Sequence, residues 1–274
     1  MGLRIQNNIS AMNTHRQLTI SDAGLSKSLE RLSSGYRINR AADDAAGLAI
    51  SQGFRADIAS YKVASRNVSE ANAMVQVAEG GYEQIGNMLT RLKELATQAA
   101  SANAANDTGK IHAEAAQLII EIDRIANVTE YAGTKLLDGA VATEYTFQVG
   151  AQDSADNQIN IGFVGVTASD LGVDDLSLNS AASAQAALTA VDDAIDLLTT
   201  NRADLGAVQN RLGYASANLS TTIENVQAAE SVIRDVDMAA EMTTFTKNQI
   251  LLQAGTAMLA QANAAPQNVL SLLS

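Results

Sequence analysis

The longest regular pattern in the chain is the stretch VDDAIDLLTTNRADLGAVQNRLGYASANLSTTIENVQAAESVIRDVDMAA, residues 191–240. An apolar residue recurs at every seventh position: Val191, Leu198, Leu205, Leu212, Leu219, Val226, Ile233 and Ala240. Such a repeat is typical of a coiled-coil helix, and no proline interrupts it. The stretch therefore predicts one continuous helix of about 50 residues, roughly 75 Å long.

Two further apolar patterns with helical spacing lie upstream of this stretch. The first runs through Phe54, Tyr61, Ala64, Val68, Ala71, Val75, Ala78, Tyr82, Ile85, Leu89, Leu92, Ala96 and Ala99. The second consists of Ile111, Ala115, Leu118, Ile122 and Ile125. The turn-rich residues 103–109 separate them. We therefore expect these two helices to fold back on each other and the long helix to pack beside them.

The middle of the chain has a different pattern. Residues 145–149 and 159–163 alternate apolar and polar side chains, and the turn formers of residues 150–157 lie between them. This pattern predicts a β-hairpin, followed by a loop over residues 164–183. The fold class expected is mainly α: long antiparallel coiled-coil helices forming a rod, with a small β-hairpin region in the central segment.

Both ends of the chain carry weaker apolar stripes. The stripe residues that we predict to assemble are Ile5, Ile9, Met12, Leu18, Leu25, Leu29, Leu32, Ile250, Leu251, Leu259, Val269, Leu270 and Leu273. Neither end has much within its own segment on which to pack. An amphipathic helix without a partner stays disordered in water or associates. The two ends therefore predict self-assembly.

Composition excludes several functional classes. The net charge is −12, which argues against non-specific nucleic-acid binding because that requires a basic surface. The chain has no Cys and only two His, so disulfides, thiolate metal sites and a histidine-based metal centre are not expected. No apolar run is long enough to span a bilayer, and the first residues lack a secretory signal.

We find no catalytic motif in the sequence. The HExxH, GxSxG, P-loop and GxGxxG patterns are all absent. The paired acids Asp43-Asp44, Asp174-Asp175 and Asp192-Asp193 are better explained as helix caps and surface charge than as a cation site. We therefore expect no catalytic residue, no cofactor and no metal, and an interaction surface in their place.

Several segments closely resemble bacterial flagellin, the subunit of the flagellar filament. In the N-terminal half they are LERLSSGYRIN (29–39), DDAAG (43–47), LKELA (92–96), EIDR (121–124) and GTKLL (133–137). At the C-terminal end they are QILLQAG (249–255), LAQAN (259–263) and PQNVLSLL (266–273). The resemblance covers about residues 1–140 and 185–274, and the large central insert of many family members is missing.

The resemblance implies an organisation in layers. Residues 1–40 and 236–274 would form an inner tube domain of paired terminal helices that folds on polymerisation. Residues 41–235 would form a rod domain of three helices plus the β-hairpin at about residues 140–183. Helical filaments of this kind arise from heterologous contacts that do not close, and each subunit would make many weak contacts.

The resemblance also implies partners and a location. The expected partners are other copies of the chain in a homopolymer, the flagellar export chaperone and type III export apparatus, the filament cap and hook-junction proteins, and a host Toll-like receptor. No nucleic acid and no membrane insertion are expected. The chain would be secreted without a cleaved signal peptide and would lie in the extracellular filament used for motility.

A receptor surface is implied by the segment LTRLKELATQ, residues 89–98, which is similar to the segment bound by the flagellin-sensing Toll-like receptor. Arg91, Leu95 and Gln98 would share a helix face, and Glu114 on the neighbouring helix would join them. Arginine beside an exposed leucine is typical of a binding hot spot. The same face could instead pack against the next subunit.

Three alternatives to a filament subunit remain at this point. A hook–filament junction protein shares the terminal pattern more loosely. A cytosolic coiled-coil adaptor would not explain why both ends match one assembly family. An enzyme would need a larger insert than the roughly 45 residues between the helical regions, because a catalytic domain does not fit in that length.

Overall fold

The computed structural model describes residues 7–101, 107–139 and 144–271, with side chains as far as residue 265. The helices of this part are α1 (Ile9–Ser34), α2 (Ala45–Ala100), α3 (Thr108–Val128), α4 (Ala181–Arg234) and α5 (Met238–Ser271). Its strands are β1 (Glu130–Tyr131), β2 (Thr134–Lys135), β3 (Glu144–Gln148) and β4 (Gln158–Gly162). The mainly helical fold class is confirmed.

The chain divides into two compact units. The first unit consists of Met1–Ala56 and Asn225–Ser274, and the second of Asp57–Glu224. Both divisions fall inside helices, α2 and α4. The domain boundaries at residues 40 and 236 concern layers of a filament and stay a prediction.

In the second unit, α2 packs antiparallel to both α3 and α4. Arg91 of α2 pairs with Glu114 of α3, with an Nη2–Oε1 distance of 2.8 Å. Lys93 of α2 pairs with Asp192 of α4. Glu79 of α2 accepts a hydrogen bond of 2.8 Å from Gln209 of α4. Earlier residues of α2 therefore contact later residues of α4, as in an antiparallel pair. The predicted packing of these three helices is therefore confirmed.

The core of the second unit follows the predicted stripes closely. The α2 positions from Ala64 to Ala99 in the predicted pattern are buried, and Met74 and Leu95 are buried beside them. In α3 the buried residues are Ile111, Ala115, Ile119, Ile122 and Ala126. The predicted Leu118 and Ile125 are only half-buried. The burial pattern of α3 drifts by one position because a straight helix has 3.6 residues per turn rather than 3.5.

The prediction of one continuous helix over residues 191–240 is wrong at its end. Helix α4 stops at Arg234, and α5 begins at Met238. Asp237 starts the new helix because its Oδ1 accepts hydrogen bonds from the N–H groups of Ala239 and Ala240, at 2.9 and 3.1 Å. The seven-residue repeat continues across the break, because apolar residues can keep their spacing in the sequence where the helical backbone is interrupted.

The central β-hairpin is confirmed. Strands β3 and β4 pair antiparallel, with Tyr145 opposite Ile161 and Phe147 opposite Ile159. The loop after β4 has no regular structure, as predicted, but it is part of the core. The Tyr82 hydroxyl of α2 donates to the Val164 carbonyl at 2.8 Å, and burial raises the pKa of Tyr82 to about 12.

A second, smaller hairpin was not predicted. Strands β1 and β2 pair with Tyr131 opposite Thr134, and only Ala132 and Gly133 connect them. Both connecting residues have positive φ, 51° and 80°, as a type I′ turn requires. The usual sequence signal for this turn is Asn-Gly or Asp-Gly, so Ala132 concealed it.

A polar residue is buried in the helix core of the second unit. Asn201 lies at the position three residues after Leu198 in the α4 repeat and is 8% exposed. Its Nδ2 has no hydrogen-bond partner among the described residues. A buried donor without a partner costs free energy of folding, and a polar residue in a coiled-coil core commonly sets the register at that cost.

We expect Asn201→Leu to raise the free energy of unfolding by about 1–2 kcal/mol, because it removes an unpaired buried amide. Urea denaturation followed by circular dichroism measures the change. Asn218→Leu, at an exposed position of the same helix, is the matched control and should change stability by less than about 0.5 kcal/mol. An equal or lower midpoint for Asn201→Leu would contradict the expectation.

Candidate functional site

The terminal helices α1 and α5 form an antiparallel pair in the first unit. The Asn8 amide donates to the Ala262 carbonyl at 2.8 Å. Two glycines allow close approach: a Cβ on Gly24 would lie 2.9 Å from the Asn248 amide nitrogen, and one on Gly255 would lie 3.2 Å from Leu18. The two ends of the chain thus provide one structural element together.

The contact between α1 and α5 contains small and polar residues beside half-buried leucines. Among the described residues of the pair, the buried ones are Ser21, Ser28 and Glu241. The Glu241 carboxylate accepts a hydrogen bond from Arg31 at 3.4 Å. These contacts hold the helices in register, and half-buried leucines such as Leu18 pack beside them.

The large apolar side chains of the pair remain in contact with water. Those with substantial exposure are Ile9, Met12, Ile20, Leu29, Met238, Met242, Ile250, Leu251 and Met258. We call this set the exposed apolar face. Exposed apolar side chains of this size are candidates for an interaction surface, since each square ångström removed from water contributes about 25 cal/mol.

The predicted assembly residues are distributed unevenly. Exposed positions are Ile9, Met12, Leu29, Ile250 and Leu251, and half-buried positions are Leu18, Leu25, Leu32 and Leu259. The side chains of Ile5, Val269, Leu270 and Leu273 lie outside the described part of the chain. The sequence analysis missed Ile20, Met238 and Met242. The spacing of Ile20 from Ile9 and Met12 could have revealed it, since all three lie on one helical face.

A short two-stranded contact ties the end of α1 to the junction of α4 and α5. Tyr36 and Asp235 form an antiparallel bridge. The Arg37 N–H donates to the Arg234 carbonyl at 2.7 Å, and the Val236 N–H donates to the Gly35 carbonyl at 3.0 Å. The Arg234 guanidinium stacks over the Tyr36 ring at 4.4 Å. Both chain segments that leave the terminal pair are therefore fixed to each other.

The turn after α1 is organised by Asp43. Its carboxylate contacts Lys27 Nζ at 2.8 Å and accepts hydrogen bonds from the Asn39 and Arg40 N–H groups at 3.3 and 3.1 Å. The hydrogen bond from Lys27, followed by that from Arg40, lowers the pKa of Asp43 from 3.8 to about 2. A lowered pKa means that the folded state favours the ionised carboxylate.

We expect the Asp43 carboxyl signal in a pH titration by NMR to have its midpoint near 2. The stabilisation from the ionised group is complete above pH 4 and is lost as the pH falls through about 2. Lys27→Met removes the largest cause and should raise the midpoint toward 3.8. Arg16→Met, which removes a basic residue that hydrogen-bonds Asn13, is the control and should leave the midpoint in place.

The predicted receptor residues lie on α2 and α3 of the second unit. The Arg91 guanidinium donates to Glu94 at 2.8 Å and to Glu114 at 2.8 and 3.0 Å. The bond to Glu94, and next the bond to Glu114, raises the pKa of Arg91. Gln98 lies about two turns further along α2 and is exposed. Arg91 and Glu114 are thus brought together as expected.

Leu95 is not exposed, contrary to our expectation. Only 2% of its surface is accessible, because it joins the core between the helices of the second unit. Its spacing from Arg91 places it on the flank of the buried stripe rather than on the outer face. A role for Leu95 in direct binding would require the core to open, so its contribution is structural.

A metal site and a membrane-spanning helix are both absent from the described residues. Among them no group of His, Asp and Glu is placed to hold a metal ion. The helices that the structure describes include none both long and apolar enough to cross a membrane. The fold is that of a mainly helical protein whose two terminal helices pair with each other and expose large apolar side chains.

Comparison with known proteins identifies the family. The model of the bacterial flagellin N-terminal helical region matches residues 5–142, and that of the bacterial flagellin C-terminal helical region matches residues 188–273. The chain therefore belongs to the bacterial flagellin family. Proteins of this family form the extracellular flagellar filament, and this chain is a structural subunit of such a filament and not an enzyme.

Individual relatives align with this chain over nearly their whole length. The chain is 43% identical to a flagellin of Bacillus subtilis, an alignment that covers 99% of the chain and 100% of the relative. It is also 43% identical to the flagellar filament 33 kDa core protein of Treponema phagedenis, covering 98% and 99%. These matches favour a filament subunit over both a cytosolic adaptor and a hook–filament junction protein.

Solved structures support the same fold. A crystal structure of Bacillus cereus flagellin aligns with a TM-score of 0.51 and 30% identity, over 60% of this chain and 94% of that chain. A putative flagellar hook-associated protein from Vibrio parahaemolyticus aligns with a TM-score of 0.55 over 70% of this chain and 97% of that chain. At 13% identity, the second match concerns the fold alone.

Proposed function

We propose that copies of this chain assemble into the filament through the exposed apolar face of the α1–α5 pair. In this arrangement, residues 1–40 and 236–274 form the inner layer and residues 41–235 the outer one. The observation that carries the proposal is the exposure of large apolar side chains on the pair. The nine side chains of the exposed apolar face are 42–68% exposed, whereas Ser21 and Ser28 are buried.

The energetics of this face favour association. Burying one Ile, Leu or Met side chain fully contributes about 1.5–3 kcal/mol, so a few contacts per neighbour suffice when each subunit has several neighbours. A face that meets a different surface on the next copy produces an open helix of subunits rather than a closed ring. The exposed apolar face thus provides the attraction between subunits and leaves the α1–α5 contact intact.

The charge distribution supports the same face. The chain carries a net charge of −12, so copies repel each other over most of their surfaces. Residues 1–40 carry six basic and two acidic residues, and residues 236–274 carry one basic and two acidic. The terminal helices are therefore the region in which like-charge repulsion least opposes stacking.

We expect Ile250→Asp to abolish filament growth. Ile250 is 60% exposed in the free chain, so the charge costs little there, but its burial between subunits would cost several kcal/mol. Seeded elongation followed by light scattering and electron microscopy measures growth. Circular dichroism of the free subunit should show unchanged helix content.

Ile250→Leu is the matched control for this substitution. It keeps an apolar side chain of the same volume and should elongate seeds as the original chain does. Normal elongation of Ile250→Asp would refute the proposed face, whatever the behaviour of the control.

A second proposed function concerns the surface around Arg91, Gln98 and Glu114. We propose that a host Toll-like receptor that senses flagellin recognises this surface. Arg91 supports it, since the ion pairs to Glu94 and Glu114 hold the guanidinium in one position across two helices. A side chain held in place before binding loses less conformational entropy in the complex.

Arg91→Ala should reduce receptor activation by roughly 30-fold or more, as removal of an arginine hot spot costs at least about 2 kcal/mol. A receptor-reporter assay on monomeric protein measures the loss. The fold should survive, because exposed ion pairs contribute only about 0–1 kcal/mol. Arg124→Ala breaks a comparable exposed pair with Glu121 and should leave activation unchanged. Equal activity of both variants would remove this surface from consideration.

We further propose that the chain leaves the cell through the flagellar type III apparatus, with the export chaperone, and without a cleaved signal peptide. The filament cap and hook-junction proteins would be its neighbours at the filament ends. Absence of cysteine and the presence of a single proline support export as an unfolded chain. Neither disulfide formation nor more than one X-Pro bond would then delay refolding outside.

A further inference from the structure

The methionines that the structure describes fall into two groups. The sequence has seven methionines, of which six lie in the described part of the chain. In the second unit, Met74 is 4% exposed and Met88 is packed against the core. The four described methionines of α1 and α5 are instead 48–68% exposed: Met12, Met238, Met242 and Met258. They form about half of the exposed apolar face.

We infer that these four methionines are oxidation sites for peroxides, and that their conversion to sulfoxides prevents a subunit from entering the filament. The inference rests on the proposed assembly face. It adds a modification that acts on that face before assembly. Oxidation turns a flexible apolar side chain into a polar one and is known to disrupt methionine-rich interfaces.

The chemistry is a two-electron oxygen transfer. A lone pair of the methionine sulfur attacks one oxygen of the peroxide, and the O–O bond breaks as the S–O bond forms. The sulfur is oxidised by two electrons, and the peroxide is reduced. The hydroxyl proton of the transferred oxygen passes to the departing hydroxide or alkoxide, which leaves as water or an alcohol. The co-reactant is thus a peroxide alone.

The composition of the chain directs this reaction to methionine. It contains no Cys and no Trp, so the other side chains most readily oxidised are missing. Exposure then separates the two methionine groups, because susceptibility of a sulfur to solution oxidants follows its accessibility. In the second unit Met74 is buried and Met88 half-buried, so we expect both to react more slowly than the exposed methionines of the terminal helices.

The position of the sulfurs explains the effect on assembly. Met238 and Met242 are four residues apart on one side of α5, and Met242 lines a shallow groove with Ile250 and the Lys247 stem. Met12 lies three residues after Ile9 on the outer side of α1. A sulfoxide at any of these positions would be buried without a hydrogen-bond partner when subunits stack.

The test uses the full-length subunit and hydrogen peroxide. Mass spectrometry of peptides should find sulfoxide first at the four terminal-helix methionines and last at Met74 and Met88. Seeded elongation of the treated subunit should show a critical concentration at least about tenfold higher, as expected for burying an unpaired polar group. Treatment of finished filaments should oxidise the same four methionines at least about tenfold more slowly.

Two further experiments test whether methionine oxidation causes the loss of elongation. Methionine sulfoxide reductase with a dithiol should restore elongation of the oxidised subunit, which excludes other damage. The variant Met12→Leu, Met238→Leu, Met242→Leu, Met258→Leu should elongate equally before and after peroxide, whereas the control Met74→Leu, Met88→Leu should remain sensitive.

Unchanged elongation with all four sulfoxides present would overturn the inference. So would a loss of elongation that the reductase does not reverse. Failure of the proposed assembly face itself has a different signature: untreated Ile250→Asp would then elongate normally. The two ideas are therefore separable in one set of assays.

Discussion

The close antiparallel contact between the two ends of the chain is the constraint on which the rest of the first unit depends. Gly24, Gly255 and the buried serines let α1 and α5 approach closely, with Leu18 lying against Gly255. Other large side chains of the pair, among them Ile250 and Met258, stay exposed. The pair therefore joins the two chain ends and leaves apolar side chains available to other copies.

The second unit contains the hydrophobic core. Its large apolar side chains, such as Tyr82, Leu89 and Leu212, are buried between helices and beneath the β3–β4 hairpin and the loop that follows it. Its exposed surface carries ion pairs, among them Arg91 with Glu94 and Glu114. The hydrophobic core lies within this unit, although Ile120, Val128 and Tyr214 stay exposed on its surface.

Much of this could be predicted from the sequence. The stripes on α2 and α4, the β3–β4 hairpin and the apolar terminal helices all follow from spacing, because a helix and a strand place side chains on a face with fixed periods. The break between α4 and α5 did not follow, since the apolar repeat continues through Asp235 and Asp237. The β1–β2 turn was not predicted because Ala132, which has a positive φ, stands where Asn or Asp is usual.

By itself, the sequence determined the helices, their apolar stripes, the family and the low acidity of both ends. Tertiary structure alone decided which side of each stripe is covered. It placed Leu95 in the core although the resemblance implied an exposed position, and it left Met238 and Met242 exposed. Periodicity states that a helix has an apolar face, whereas coverage depends on which helix packs there and how closely. That closeness is set by small residues distant in sequence, such as Gly24 opposite Asn248.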